Sequence, residues 1–370
     1  MRNLCFLVVL GLAFVPQPQR TARHTVVAIA GREFVVNGRP TSVGRSYDGM
    51  SVQGLLFNSR MVQGIFDDRN PDTRGRWNYP DGPWDPERNT REFIAAMPLW
   101  KAKGLLAFTI NLQGGSPEGY SRSQPWVSSS FETDGRLRPD YMSRLERILD
   151  RSDELGMVAI VGFFYQGQER RMDDEPSVIR AAEAATDWLI DKGYTNVLVE
   201  VANEADNAGF KHDVIKPSGG AVQLIERLKE RSKNRVASPA GRLLVSTSLN
   251  GGRVPTDSLV SAVDFVLLHG NGVSDPARIT QMVDETRKLS SYRGQPIVFN
   301  EDDHFDFNRP QNNMMAAVRA YASWGYFDYR LAGERFDDGY QSVPVNWTIS
   351  SQRKREFFEL LATVTGVGAK

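Results

Sequence analysis

The chain has 370 residues, enough for one large or two medium domains, with 41% hydrophobic and 24% charged residues, the balance of a globular enzyme. Lys plus Arg and Asp plus Glu each number 45, so the formal net charge is zero, and no sustained basic run draws the chain to nucleic acid or anionic lipid. The single cysteine, Cys5, lies in an apolar N-terminal run, which leaves no disulfide, thiolate nucleophile or cysteine-ligated metal to the rest of the chain.

Met1-Arg2, the apolar run 4–15, and Pro16 and Pro18 have the layout of a signal peptide, too short to span a bilayer. The expectation is a leader over about 1–22 and export to the periplasm or the medium. A single catalytic domain then covers 23–370. The cleavage point is open between Thr21-Ala22 and Ala28-Ile29-Ala30, and a buried N-terminal strand is the other reading. No other stretch approaches membrane-spanning length.

Residues 26–44 read as two short strands around a turn, with Asn37-Gly38 the hairpin signal; this unit is expected to plug the bottom of the main domain. Eight β-rich apolar runs follow, at 54–57, 105–110, 157–164, 197–202, 243–248, 265–268, 296–299 and 326–331. Helical spacing separates them. Thr90 is the expected cap of a helix carrying Phe93, Ile94, Met97 and Trp100, kinked at Pro98. Tyr141, Leu145, Ile148 and Leu149 mark the next, stopped by Gly156. Further helices are predicted around 178–189, 222–228, 257–262, 275–289, 314–324 and 351–364. No G-x-G-x-x-G or P-loop follows the first strand, which disfavours an open doubly wound sheet. The expected fold class is α/β, a (β/α)8 TIM barrel with an N-terminal β-hairpin.

Such a barrel gathers its active site at the C-terminal ends of its strands. The fourth strand ends Glu200-Val201-Ala202-Asn203-Glu204, and the seventh ends Val298-Phe299-Asn300-Glu301. Strands four and seven oppose each other in an eight-membered ring, so Glu204 and Glu301 should face across the mouth. Two facing carboxylates suit glycosidic bond cleavage, one to attack or stabilise the anomeric carbon and one to protonate the departing oxygen. The acid would need a raised pKa.

Val199-Glu200-Val201-Ala202-Asn203-Glu204 together with Pro296-Ile297-Val298-Phe299-Asn300-Glu301 resembles the large clan of retaining (β/α)8 glycosidases that includes cellulases and mannanases, clan A. The opening Phe34-Val35-Val36-Asn37-Gly38-Arg39-Pro40 is similar to the hairpin that precedes such barrels. The resemblance implies Glu204 as acid/base, Glu301 as nucleophile and Asn203 as a partner of the sugar 2-hydroxyl, acting on a β-linked oligo- or polysaccharide. Asp302-Asp303-His304 departs from the clan pattern, where a small residue commonly follows the nucleophile. Glu200 shares the strand parity of Glu204 and reads as a structural carboxylate.

Other strand ends supply candidate sugar contacts. His269 ends strand six, where clan members often carry His or Tyr. Arg60 follows strand one, Asn111 and Gln113 follow strand two, and Tyr165 follows strand three. Among loop tryptophans, Trp126 and Trp347 are candidate platforms for pyranose rings; closing loops over the barrel is the alternative. No cofactor and no metal is expected, given no usable cysteine and four histidines. The expected partner is carbohydrate, with no nucleic acid and no membrane span; oligomeric state is unassigned. A non-catalytic carbohydrate-binding barrel and a metal-dependent barrel hydrolase remain the rival functions.

Overall fold

A computed structural model describes residues 23–121 and 123–368. The expected leader, with Cys5, lies outside the described residues.

Eight barrel strands occur in the expected order, numbered one to eight here: Asn58–Arg60, Ala107–Asn111, Val158–Tyr165, Val197–Asn203, Leu244–Ser246, Val266–His269, Ile297–Glu301 and Gly325–Tyr326. Parallel pairing runs five-four-three-two-one-eight in one sheet and six-seven in another. Two parallel bridges, Val298 to Ser323 and Asp302 to Tyr326, join seven to eight. Between five and six, Asp264 N–H donates to the Val245 carbonyl at 3.0 Å and Ser246 Oγ to the Phe265 carbonyl at 2.6 Å. The ring is an α/β TIM barrel.

Boundaries differ where polar groups are satisfied internally. Asn58-Ser59-Arg60, expected to follow strand one, is strand one. Asn58 Nδ2 donates to the Phe299 carbonyl and Ser59 Oγ to the Tyr326 carbonyl, so these polar side chains are accommodated inside the barrel. The first long helix is Pro86–Ala102, capped by Asp85, whose carboxylate accepts from Glu87 and Arg88 N–H; it continues through Pro98. Thr90 is not the cap but donates to the Gly64 carbonyl at 2.8 Å.

The N-terminal unit is a three-stranded antiparallel sheet, Val27–Ala30, Glu33–Val36 and Arg39–Pro40. Asn37 and Gly38 both have positive φ, 51° and 77°, as a type I′ turn requires. Val27 and Phe34 pack on Leu56, Ala107, Ile160, Leu198, Phe265 and Val298, the N-terminal ends of the barrel strands. This plugs the bottom with apolar side chains and leaves the opposite end for polar ones. The larger core lies between the barrel and its helices. No helix among the described residues is long and apolar enough to cross a membrane.

Candidate active site

Leu198 packs in the apolar plug, so Glu200 on the same strand parity points into the barrel. There its carboxylate accepts from Asn300 Nδ2 on strand seven at 3.3 Å. That contact crosses the lumen and shows strands four and seven facing each other. One turn of pleat higher, the chain of strand four departs from regular geometry: Glu204 has φ 56°, the left-handed region. A non-glycine residue held there stores strain of roughly 1–3 kcal/mol, and such residues cluster at functional sites. Ser248 holds it in place. Glu204 N–H donates to Ser248 Oγ at 2.9 Å, and that hydroxyl donates to Glu200 Oε1 at 2.6 Å. A buried carboxylate thus fixes the backbone of a partly exposed one.

The Glu204 and Glu301 carboxylates meet at His269. Its Nδ1 lies 3.3 Å from Glu204 Oε1 and 3.7 Å from Glu301 Oε2, and one oxygen from each carboxylate falls within 4.8 Å of the other. Arg60 forms an ion pair with Glu301 Oε2 at 2.7 Å and donates to Asn203 Oδ1 at 2.8 Å and Gln341 Oε1 at 2.9 Å. Asn271 Nδ2 donates to Glu301 Oε1 at 2.5 Å. Asn207 and Gln166 donate to Glu204 Oε2 at 3.2 and 3.4 Å. With Asn203 Oδ1 taken by Arg60, its amide nitrogen is left to serve the cavity.

Charge in this cluster is balanced by burial against pairing. Burial pushes Glu301 up, opposed by Arg60 and His269, and the nearby Glu204 adds to the rise; its pKa lies above the usual carboxylate range. Burial also acts upward on Glu204, but His269, then Arg60 and Asn207, outweigh it and hold it below that range. Burial would lower His269, yet the charges of Glu301, Glu204 and Glu200 raise it. The two carboxylates are thus shifted in opposite directions, the reverse of the raised Glu204 expected from sequence.

A cavity of about 1180 Å³ opens above the pair, lined by Tyr165, Asn203, Glu204, Asn250, Asn271, Glu301, Phe327 and Gln341 among others. Of the sequence candidates, Glu204, Glu301, Asn203 and Tyr165 reach it. His269 and Arg60 are buried directly behind the carboxylates. The remaining four candidates neither line it nor touch the carboxylates, which corrects the expectation of sugar contacts there. Asn111 is buried against strand three, where a Cβ on Gly162 would lie 2.2 Å from its Oδ1. Gln113 accepts from Tyr165 N–H and donates to Ser129, bracing the second loop. Trp126 is wholly buried against Trp77, and Trp347 against Phe93, with its indole N–H on Asn89. These tryptophans close loops rather than offer faces to a ligand.

Sequence reading missed Gln341, Asn207 and Ser248 as site residues. Gln341 sits 281 residues from its partner Arg60, on an irregular loop, with no periodic signal to flag it. Asp302, adjacent to the nucleophile candidate, turns away from the cavity. Its carboxylate accepts from Trp324 Nε1, Asn313 Nδ2 and the His304 backbone N–H, tying strand seven to strand eight. The donor atoms of Asp302, Asp303 and His304 lie close enough to share a cation, as do those of Glu204, His269 and Glu301.

No protein-family model and no curated protein sequence matches this chain. Solved structures do. An endo-1,4-beta-mannanase from Rhizomucor miehei aligns over 92% of this chain and 99% of its own, at TM-score 0.58 and 11% identity. A glycoside hydrolase family 5 mannosidase from the same organism aligns over 94% and 99%, at TM-score 0.53 and 14% identity. A broad specificity endoglucanase from Bacteroides salanitronis aligns over 85% and 93%, at TM-score 0.52 and 12% identity. The likeness is one of fold. At these identities the chemistry must be argued from the site itself.

Proposed function

We propose that this chain is a glycoside hydrolase that cleaves β-linked oligo- or polysaccharides with retention of configuration. The observation that carries the reading is the pair Glu204–Glu301, facing across the barrel with an oxygen–oxygen approach within 4.8 Å at the floor of an open cavity. Retaining enzymes hold their carboxyl groups about 5–5.5 Å apart, whereas inverting ones need about 6.5–9.5 Å to fit a water. A purely binding barrel has no use for a buried and a partly buried carboxylate wired to a histidine and an arginine, since withdrawing them from water costs stability without adding contacts. The mannanase, mannosidase and endoglucanase folds support the same reading by analogy.

In this mechanism Glu301 attacks the anomeric carbon. Arg60 and Asn271, both on its oxygens, stabilise it as a carboxylate before attack and as a leaving group afterwards. Glu204 protonates the glycosidic oxygen and then activates water. A bound sugar strips water from Glu204 and pushes its pKa up, drawing the proton across the short gap from His269. Asn203 donates to the sugar near the reacting carbon. Against a metal-dependent hydrolysis, the carboxylates of each possible cation cluster accept hydrogen bonds from protein donors. With the leader expected at 1–22, the proposed location is periplasmic or extracellular.

The test is a panel of aryl β-glycosides and β-glycans, with the first-formed anomer read by proton NMR. A β product appearing first supports the reading; an α product first, or no hydrolysis across the panel, refutes it.

A further inference from the structure

The cavity wall beside Glu204 carries charge that the hydrolytic reaction does not use. Among the described residues, the charged side chains lining the cavity apart from Glu204 and Glu301 are Arg170 and Arg171. Both are solvent-exposed, and among the described residues neither is paired with a carboxylate. Elsewhere on this surface arginines are routinely neutralised, as Arg88 is by Asp81 and Glu92, or Arg231 by Asp187 and Glu183.

These two arginines do not hang from a loose loop. They stand on the 3-10 turn Glu169–Arg171. Beneath it the wholly buried Glu169 accepts from Lys211 N–H at 2.9 Å and pairs with the His212 ring, anchoring the turn to the loop after strand four. On the other side Gln168 Nε2 donates to Gln124 Oε1 and the Trp126 carbonyl, both at 3.2 Å. Arg171 Nη2 donates to the carbonyls of Gln124 and Trp126 at 2.7 and 3.2 Å. Those partners are neutral, so they fix the guanidinium without cancelling its charge. Gly167, at φ 81°, lets the turn approach Gln124, whose side chain would lie 2.7 Å from a Cβ there. Gln166 ties this wall to Glu204.

An uncompensated arginine pair on an anchored turn, with the Arg171 guanidinium held by two carbonyls, matches a carboxylate or sulfate at the rim of a sugar-sized cavity, since guanidinium groups bind such anions through charge-assisted and bidentate hydrogen bonds. We infer that the substrate is an anionic glycan, and that Arg170 and Arg171 receive the negative substituent of a sugar bound on the Glu204 side of the cleft. The inference rests on the glycosidase reading for the term glycan, but not for the anion site.

The experiment has a binding arm and a turnover arm. Matched β-linked oligosaccharides are used: neutral, uronate-bearing and sulfate-ester-bearing. Binding to the full chain is measured by calorimetry at low and high salt, and kcat/KM is measured in parallel. Binding of at least one anionic form should exceed that of the neutral one by about ten- to hundredfold, and the advantage should shrink with salt. Preference for uronate or for sulfate identifies the source of the charge. In Arg170→Gln/Arg171→Gln, affinity for the anionic form should fall to the neutral level and its KM should rise to match, while kcat for it changes far less. Arg171→Lys, which keeps charge but loses the fork, should recover part of the affinity. Equal binding of all three sugars, or a preference that survives the double substitution, overturns the inference even if neutral glycans are hydrolysed. Tight, arginine-dependent binding of the anionic form without any hydrolysis would sink the glycosidase reading and leave the anion site standing.

Discussion

The two halves of the barrel mouth use similar residues to opposite ends. On the side of strands four, six and seven, loops are shorter, and polar strand ends stay within reach of the cavity: Asn203, Glu204, Asn271 and Glu301 all line it. On the side of the loops after strands one, two and eight, the chain is long and folds back on itself. There Trp77, Trp84, Trp126 and Trp347 are buried, with Trp77 on Asp68, Trp84 on Asp67 and Trp347 on Asn89. A polar residue at a strand end becomes a site only where the loops leave it uncovered. An aromatic residue in a long loop becomes core once the loop can close over it.

This contrast predicts that floor variants lose chemistry and roof variants lose stability. The largest effect should come from Arg60→Met, which strands the buried Glu301 charge. Breaking such a pair costs about 3–5 kcal/mol, so the denaturant midpoint should drop steeply and activity should disappear with it. Loss of activity with unchanged stability would show that the ion pair does not brace the floor. Trp126→Ala should cost a similar 3–5 kcal/mol through the cavity it leaves, while the folded fraction keeps near-normal kcat for a short aryl glycoside. A severe kcat defect in that fraction would put Trp126 back in the site.

Ser248→Ala tests the link between the two carboxylates of strand four. Without the hydroxyl the Glu204 backbone loses its anchor, and kcat should fall about tenfold, the worth of one buried charged hydrogen bond. Ser248→Thr, keeping the hydroxyl, should restore most of it. Equal loss in both would point to packing alone. His269→Gln should have the mildest effect and the most specific. The imidazolium favours ionisation of both glutamates, so removing it moves both pKa values upward. The acidic limb of kcat/KM should shift to higher pH. The His269 pKa is itself raised by Glu301, Glu204 and Glu200 against the effect of burial. Its contribution to wild-type stability is thus fully present below the ordinary histidine value and fades as pH rises through the raised one. A stability difference between wild type and variant that grows with pH would contradict this sign.

The barrel was legible because its signals are periodic. Apolar runs such as 157–164 and helix punctuation such as Asp275-Pro276 and Gly156 survive in a single sequence. Strand one was misplaced because Asn58, Ser59 and Arg60 are polar yet wholly buried, each with an internal partner that only the closed ring provides. Glu204 and Glu301 could be named because each ends an apolar strand. Gln341 and the arginine wall could not, because irregular loops from distant parts of the chain deliver them. The pKa ordering was likewise invisible, since it depends on how His269 is shared between two carboxylates.

The role assignment itself is tested most directly by azide rescue of two alanine variants on a β-aryl glycoside with a good leaving group. In Glu301→Ala the nucleophile is gone, and azide should attack from the vacated face, giving an α-glycosyl azide by one inversion. In Glu204→Ala the glycosyl-enzyme still forms on Glu301, and azide, needing no base, should give the β-glycosyl azide after two inversions. Proton NMR of the products should therefore return opposite anomers from the two variants. Exchanged anomers would reverse the roles of Glu204 and Glu301, and wild-type rates in both variants without azide would place the chemistry elsewhere.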